Sequence, residues 1–81
     1  MEIVSIAIDD IYVPVKRRRD LNPETVEALA ESIMEDGLRT PIGVRRDGDR
    51  FVLVSGLHRL EACKALGEET INAHLVQARK F

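Results

Sequence analysis

The stretch VSGLHRLEACKALG, residues 54–67, joins a short apolar run to a helical pattern through a single glycine, Gly56. Residues 51–54 are rich in β-branched and aromatic side chains and predict a strand that leads into this glycine. Apolar side chains then recur at helical spacing, which predicts a helix over residues 57–66 that Gly67 ends. A strand, a glycine and a helix therefore follow one another directly, and the other elements are predicted around this junction.

A second helix is predicted between Pro23 and Gly37. Asn22 is a favoured N-cap, Pro23 suits the first helical position, and Gly37 stands where a glycine commonly closes a helix. Apolar residues at helical spacing predict one inner face, made of Val26, Leu29, Ala30, Ile33 and Met34. The remaining surface of this helix is expected to be acidic, through Glu24, Glu27, Glu31, Glu35 and Asp36.

Extended segments account for most of the remaining chain. Residues 3–8 and 11–13 are extended, and Pro14 and the basic run after it end this part of the chain. Residues 42–46 and 51–54 form a hairpin around an Asp47-Gly48-Asp49 turn, and residues 71–76 form the last strand. The resulting β-α-β-β-α-β order predicts an α+β (mixed α/β) fold with a small mixed sheet and two main helices. The length of 81 residues predicts a single domain over residues 1–81 with one modest core.

Cysteine and histidine are too few for a disulfide or a structural zinc site. Cys63 is the only cysteine, and His58 and His74 are the only histidines, which leaves no recognisable ligand spacing. We therefore expect no metal held by these residues. Cys63 is expected to be a buried core thiol and His74 a surface residue of the last strand.

The overall composition places limits on the compartment and on the partners. The chain is 44% hydrophobic and 32% charged, and no apolar run approaches the ~20 residues of a membrane span. Its start lacks the basic and apolar segments of a secretion signal, so we expect a cytoplasmic protein with no membrane partner. A net charge of −2 argues against nucleic-acid binding through bulk charge alone.

The junction at Gly56 has the features of an anion site. Backbone N–H groups at a helix start are unpaired, the helix dipole favours negative charge there, and a glycine lets an anion approach the backbone. Arg59 can hold phosphate oxygens with two hydrogen bonds, and His58 can donate another. The alternatives are a helix-start histidine that is bonded locally and a plain strand–glycine–helix connection, which is common and here lacks the lysine of a P-loop.

Several motifs together resemble one known family. They are Leu29-Ala30-x-Ser32-Ile33, Gly37-Leu38, Pro41-Ile42, and Gly56-Leu57-His58-Arg59 followed by Ala62 and Gly67. This combination is similar to the N-terminal domain of ParB-type partition proteins, in the ParB/sulfiredoxin superfamily, and the resemblance spans nearly the whole chain. The Gly-Leu-His-Arg wording is also similar to the Gly-Cys-His-Arg stretch of sulfiredoxin.

The resemblance implies a nucleotide-binding domain of a DNA partition or transcription-regulatory protein. It places the phosphates of CTP or ATP, with Mg²⁺, on Gly56, Leu57, His58 and Arg59, and it places Thr25 and Ser32 near the nucleotide. Leu57 stands where sulfiredoxin has its catalytic cysteine, and its side chain cannot form a covalent intermediate. We therefore do not expect sulfiredoxin activity.

The resemblance also implies partners and leaves other activities open. Arg17, Arg18 and Arg19 precede the first helix, where the family has an arginine-bearing segment, and are candidates for contact with DNA or with the nucleotide cleft. The expected partners are DNA through a larger assembly, a second copy of the chain, and a Walker-type ATPase. Weak NTP hydrolysis, a kinase acting on a small molecule such as free serine, and a ParB-like nuclease are the alternatives from the enzyme class.

Overall fold

The computed structural model describes residues 3–37 and 40–76, which form a mixed five-stranded sheet with the two longer helices on one face. In chain order the elements are β1 (Ile3–Ala7), a 3-10 turn (Ile8–Asp10), β2 (Ile11–Tyr12), α1 (Val15–Arg18), α2 (Pro23–Asp36), β3 (Ile42–Asp47), β4 (Arg50–Ser55), α3 (Leu57–Ala65) and β5 (Thr70–Leu75). The strands lie side by side in the order β1-β5-β3-β4-β2. The predicted α+β class is confirmed.

The extended residues before α1, which the predicted order counts as one strand, form two strands. β1 pairs antiparallel with β5, and β2 pairs parallel with β4, so the two strands lie at opposite edges of the sheet. The 3-10 turn between them contains Asp9 and Asp10, and aspartate is disfavoured in strands. For the described residues the order is therefore β-β-α-α-β-β-α-β, which corrects the simpler predicted order.

The basic run that begins at Lys16 was predicted only to end an extended segment, but part of it is helical. Val15–Arg18 forms the single-turn helix α1, and the backbone N–H groups of Arg17 and Arg18 donate to the Pro14 carbonyl at 3.0 and 3.3 Å. Basic side chains in the last turn of a helix interact favourably with its dipole. A run of cations therefore occupies the end of a short helix.

Both predicted ends of α2 are confirmed. The Asn22 Oδ1 accepts from the N–H groups of Glu24 and Thr25 at 2.9 and 3.3 Å, and the Gly37 N–H donates to the Ile33 carbonyl at 2.7 Å. The prediction for Met34 is wrong, because its side chain is 72% exposed. At about 100° per residue, Met34 lies about 40° beyond Ala30, which is at the edge of the half-buried face, and close to Glu27 on the acidic side.

The β3–β4 hairpin is confirmed with a tighter turn than predicted. β3 continues to Asp47 and β4 starts at Arg50, so the loop has two residues instead of three. The Arg50 Nε donates to the Asp47 Oδ2 at 3.2 Å across the end of the ladder. Two-residue loops match the twist of paired strands, which explains the shorter connection.

One apolar core lies between the sheet and the two longer helices. Its most buried side chains are Ile42, Leu53, Leu60 and Val44. Cys63 belongs to the same core and is 3% exposed, which confirms it as a buried thiol. Burial, and secondly the nearby Glu68 charge, raise the pKa of Cys63 above its usual 9.0.

This raised pKa predicts a loss of stability at alkaline pH. The thiol ionises more readily in the unfolded chain, so its contribution to folding is complete below pH 9.0 and declines as the pH rises from there through the folded pKa. Denaturant melts across this range should show a decline that is smaller in Cys63→Ala. An identical pH dependence in both proteins would contradict the assignment.

Candidate functional site

The connection between β4 and α3 is built around Gly56. Its φ is 96° and its ψ is 32°, a left-handed conformation that glycine adopts without strain. A Cβ at this position would meet the Ile42 Cγ2 at 2.7 Å and the Ile42 Cβ at 3.0 Å. No side chain caps the start of α3, so the first backbone N–H groups of this helix have no side-chain acceptor, as is typical of helix starts that bind anions.

The Arg59 side chain folds back toward this glycine. Its Nη2 lies 3.1 Å from the place that a Gly56 Cβ would occupy. Its Nε is buried and has no hydrogen-bond partner among the described residues. The ion pairs among the described residues join Asp47 with Arg50 and Glu61 with Lys64, and they do not include Arg59. A buried guanidinium N–H without a partner is costly, so an anionic ligand beside Gly56 would satisfy it.

His58 connects the starts of the two longer helices. Its Nε2 accepts the backbone N–H of Asn22 at 3.0 Å, so in the neutral ring the proton lies on Nδ1. The sequence suggested either a local bond or a phosphate contact, and the bond that is present reaches 36 residues along the chain. The positive dipole ends of α2 and α3 therefore meet at one place, which further favours an anion there.

The hydrogen bond to Asn22 predicts the effect of removing the imidazole. His58→Ala leaves the Asn22 N–H without its acceptor, so we expect the free energy of unfolding to fall by about 1 kcal/mol. Amide exchange at Asn22 should speed up at the same time. His74→Ala is the matched control, and equal exchange at Asn22 in both variants would contradict the role given to His58.

The other residues suggested by sequence lie at different distances from the junction. Leu57 is the first residue of α3 and packs against the core. Thr25 is in the first turn of α2, whose N-cap His58 contacts, whereas Ser32 lies two turns further along, about 10 Å away at 1.5 Å per residue. Both side chains are exposed and border the half-buried face of α2.

The three arginines before α2 diverge in space. Arg18 lines a cavity of about 430 Å³ beside the start of α3, together with Leu57, Glu61 and Lys64. Arg17 lines a different cleft, which also contains Arg45, and Arg19 is exposed. Of the three, Arg18 is therefore the one beside α3, a distinction that four consecutive basic residues do not reveal in the sequence.

Within residues 3–37 and 40–76, no group of three or more His, Cys, Asp or Glu side chains is arranged to hold a metal ion. Over the same residues, no helix combines the length and apolarity required to cross a bilayer.

The fold and this junction define a ParB/sulfiredoxin-type domain, and comparison with known proteins identifies the family. The profile of the ParB N-terminal domain family matches residues 1–80. A probable chromosome-partitioning protein ParB of Campylobacter jejuni is 41% identical over 71 residues, which is 86% of this chain and 26% of that protein. The chain belongs to the ParB N-terminal domain family, and it spans about a quarter of the length of curated ParB relatives such as this one.

Solved structures agree with this assignment. Sulfiredoxin from Arabidopsis thaliana superposes with a TM-score of 0.85 at 32% identity, covering 96% of this chain and 88% of that one. A C-terminally truncated ParB from Caulobacter crescentus, complexed with CTP-γ-S, superposes with a TM-score of 0.83 at 25% identity. That match covers 98% of this chain and 46% of the Caulobacter chain.

Two contacts between distant parts of the chain were not predicted from the sequence, one at the junction and one on the other face of the sheet. One is the bond from His58 to Asn22, because nothing local to either residue indicates a contact across so much chain. The other is the placement of Arg45 with Lys16 and Arg17 in one cleft, because they lie on separate elements. The clustering of basic residues in the sequence was the available signal for this cleft.

Proposed function

We propose that this chain binds a nucleoside triphosphate, CTP or ATP with Mg²⁺, and that its phosphates lie on the start of α3. The contacts proposed are the backbone N–H groups after Gly56, at Leu57, His58 and Arg59, and the Arg59 guanidinium. Thr25 and Ser32 border the same region on α2. The proposal extends to the setting of the family, a DNA partition or transcription-regulatory protein that contacts DNA through a larger assembly.

One observation carries this proposal above the others. The Nε of Arg59 is buried without a partner among the described residues, beside an uncapped helix start and a glycine at which a Cβ would crowd Ile42. A phosphate group would accept from the guanidinium and from the backbone at once. The complex of the Caulobacter ParB with CTP-γ-S supports a nucleotide as the source of that phosphate.

Mg²⁺ enters the proposal through the nucleotide. In nucleotide sites this ion is usually held by phosphates and waters with one or two carboxylates. The described residues contain no three-ligand cluster, so no side chain is assigned to Mg²⁺. The ion would reduce the repulsion between phosphates bound at the start of α3.

Melting with a panel of nucleotides tests the proposal. ATP, ADP, CTP and GTP are added separately with Mg²⁺, and inorganic triphosphate provides the control for phosphate alone. At a hundred times its dissociation constant, the true ligand should add about 2.7 kcal/mol, or about 10–20 °C in Tm for a chain of this size. No rise with any nucleotide would refute the proposal.

The same samples address the alternatives and the proposed partners. Serine-dependent turnover of ATP would indicate the kinase instead of a binding module, and cleavage of DNA would indicate the nuclease. Nucleotide-dependent association with a second copy, or with a Walker-type ATPase, would support a partition role. Tight, sequence-selective DNA binding by these residues alone would contradict it, because the proposed DNA contact depends on a larger assembly.

A further inference from the structure

The charges of this domain are segregated onto two surfaces. Four glutamates follow one another at intervals of three or four along α2, and the helix contains no lysine or arginine. All four side chains are exposed, and the ion pairs seen among the described residues include none of them. We call this surface the acidic face; it consists of Glu24, Glu27, Glu31 and Glu35.

The second surface is a cleft of about 530 Å³ with cations at its rim. Lys16 and Arg17 from α1 and Arg45 from β3 contribute the charge, and none of the described residues that line the cleft is a carboxylate. Its floor is aliphatic and includes Val52, Val54 and Val76. We call this surface the basic cleft.

These two surfaces lie on opposite sides of the molecule. Arg45 stands opposite Val52 in the β3–β4 register, whereas the neighbouring pair, Val44 and Leu53, is buried in the core under the helices. Successive side chains of a strand point to opposite faces, so Arg45 and Val52 point away from α2 and α3. The acidic face points into solvent on the helix side. One molecule therefore cannot bring its own two surfaces together.

We propose that the acidic face of α2 in one copy of this chain docks on the basic cleft of a second copy. Carboxylates then meet three cations that have no partner of opposite charge among the described residues. Met34 is 72% exposed at the border of the acidic face, and its flexible thioether suits an aliphatic floor. The described residues that line the cleft include no aromatic side chain on which a nucleobase could stack, so a helix fits it better than a nucleic acid.

The geometry determines the form of the assembly. The contact uses two different surfaces. An assembly of any number of copies therefore still has one free acidic face at one end and one free basic cleft at the other, so association is open-ended. α2 is about 21 Å long at 1.5 Å per residue, so the interface is small. Small, charged interfaces are weak and are screened by salt. This association involves neither Gly56 nor Arg59 and is independent of the proposed nucleotide binding.

Sedimentation equilibrium of the whole chain without nucleotide tests the proposal. The weight-average mass should rise above 9.1 kDa with protein concentration at low salt, and it should return to the monomer value at about 0.5 M NaCl, where charges are screened beyond roughly 4 Å. Arg45→Glu and Glu31→Arg should each stay monomeric at low salt. Arg46→Glu is the matched control, because Arg46 is adjacent in β3 but lies over the Phe51 ring on the other face.

An equal mixture of the two charge variants gives the sharpest result. The Glu31→Arg chain keeps an intact basic cleft, and the Arg45→Glu chain keeps an intact acidic face, so together they form one native contact. We expect the mixture to form dimers of the two different chains and nothing larger.

Three outcomes would overturn the proposal: a monomeric wild-type chain at all concentrations in low salt, equal masses for Arg45→Glu and Arg46→Glu, or a mixture that remains monomeric. A short DNA duplex added to each sample tests whether the basic cleft binds nucleic acid instead of a second copy of the chain. If Arg45→Glu abolishes DNA binding and leaves the mass of the chain unchanged, the cleft binds nucleic acid and the proposal is wrong. Circular dichroism melts confirm that each variant is folded.

Discussion

Arg59→Met is expected to reduce the nucleotide-induced rise in Tm to about half or less and to leave the ligand-free protein at least as stable as the wild type. Methionine keeps much of the side-chain volume but removes the buried Nε that has no partner. A buried polar group left unsatisfied costs about 1–3 kcal/mol, and a hydrogen bond to a charged group contributes about 1.5–3 kcal/mol. Affinity should therefore fall about 10–100-fold, with no loss of stability in the absence of nucleotide.

Two comparisons make this result specific to Arg59. Arg59→Lys keeps the charge but not the two-bond geometry, and it should recover only part of the affinity. Arg50→Met removes an exposed arginine that lies over the Tyr12 ring at 4.3 Å, and it should bind nucleotide like the wild type. An Arg59→Met protein that unfolds more easily and still binds nucleotide would show that the guanidinium has a structural role instead.

Gly56→Ala is expected to have the largest effect on folding. The left-handed conformation costs a non-glycine residue about 1–2 kcal/mol, and a close contact in a packed core costs about 1–3 kcal/mol, so the free energy of unfolding should fall by about 2–5 kcal/mol. The contact is with Ile42, whose Cγ2 would lie 2.7 Å from the new Cβ. Ile42 is fully buried and branched at Cβ, so it cannot move aside.

Gly67→Ala separates the two causes. Gly67 also has a positive φ, of 79°, but a Cβ there meets nothing within 4 Å. This variant should lose only the conformational part, which urea denaturation of both proteins will measure. Equal losses in Gly56→Ala and Gly67→Ala would mean that the contact with Ile42 is relieved at little cost.

Features with local signals could be predicted from the sequence. Asn22 and Pro23 start α2 where expected because the cap is formed by residues two and three positions away. The β3–β4 hairpin follows from Gly48 between two β-branched runs. The helix start at Gly56 could also be found, since a strand and a helix meet there with one glycine between them.

Features that depend on distant parts of the chain could not be predicted in this way. The parallel pairing of β2 with β4 joins Ile11 to Phe51, and nothing in the sequence of either strand indicates that the two pair. The unpaired Nε of Arg59 depends on how tightly the residues around it pack. The candidate site residues can be predicted from the sequence, whereas their burial and orientation depend on the tertiary structure.

The pairing of β1 with β5 has a consequence for folding during translation. Of the five strands of the sheet, β1 leaves the ribosome first, and its Ile6 pairs with Ile71 of β5, the last of the five to be synthesised. Until that strand emerges, the nascent chain carries an apolar segment with no neighbour. Contacts between residues so far apart slow folding, so the sheet of this small domain is completed only after nearly all of the domain has been synthesised.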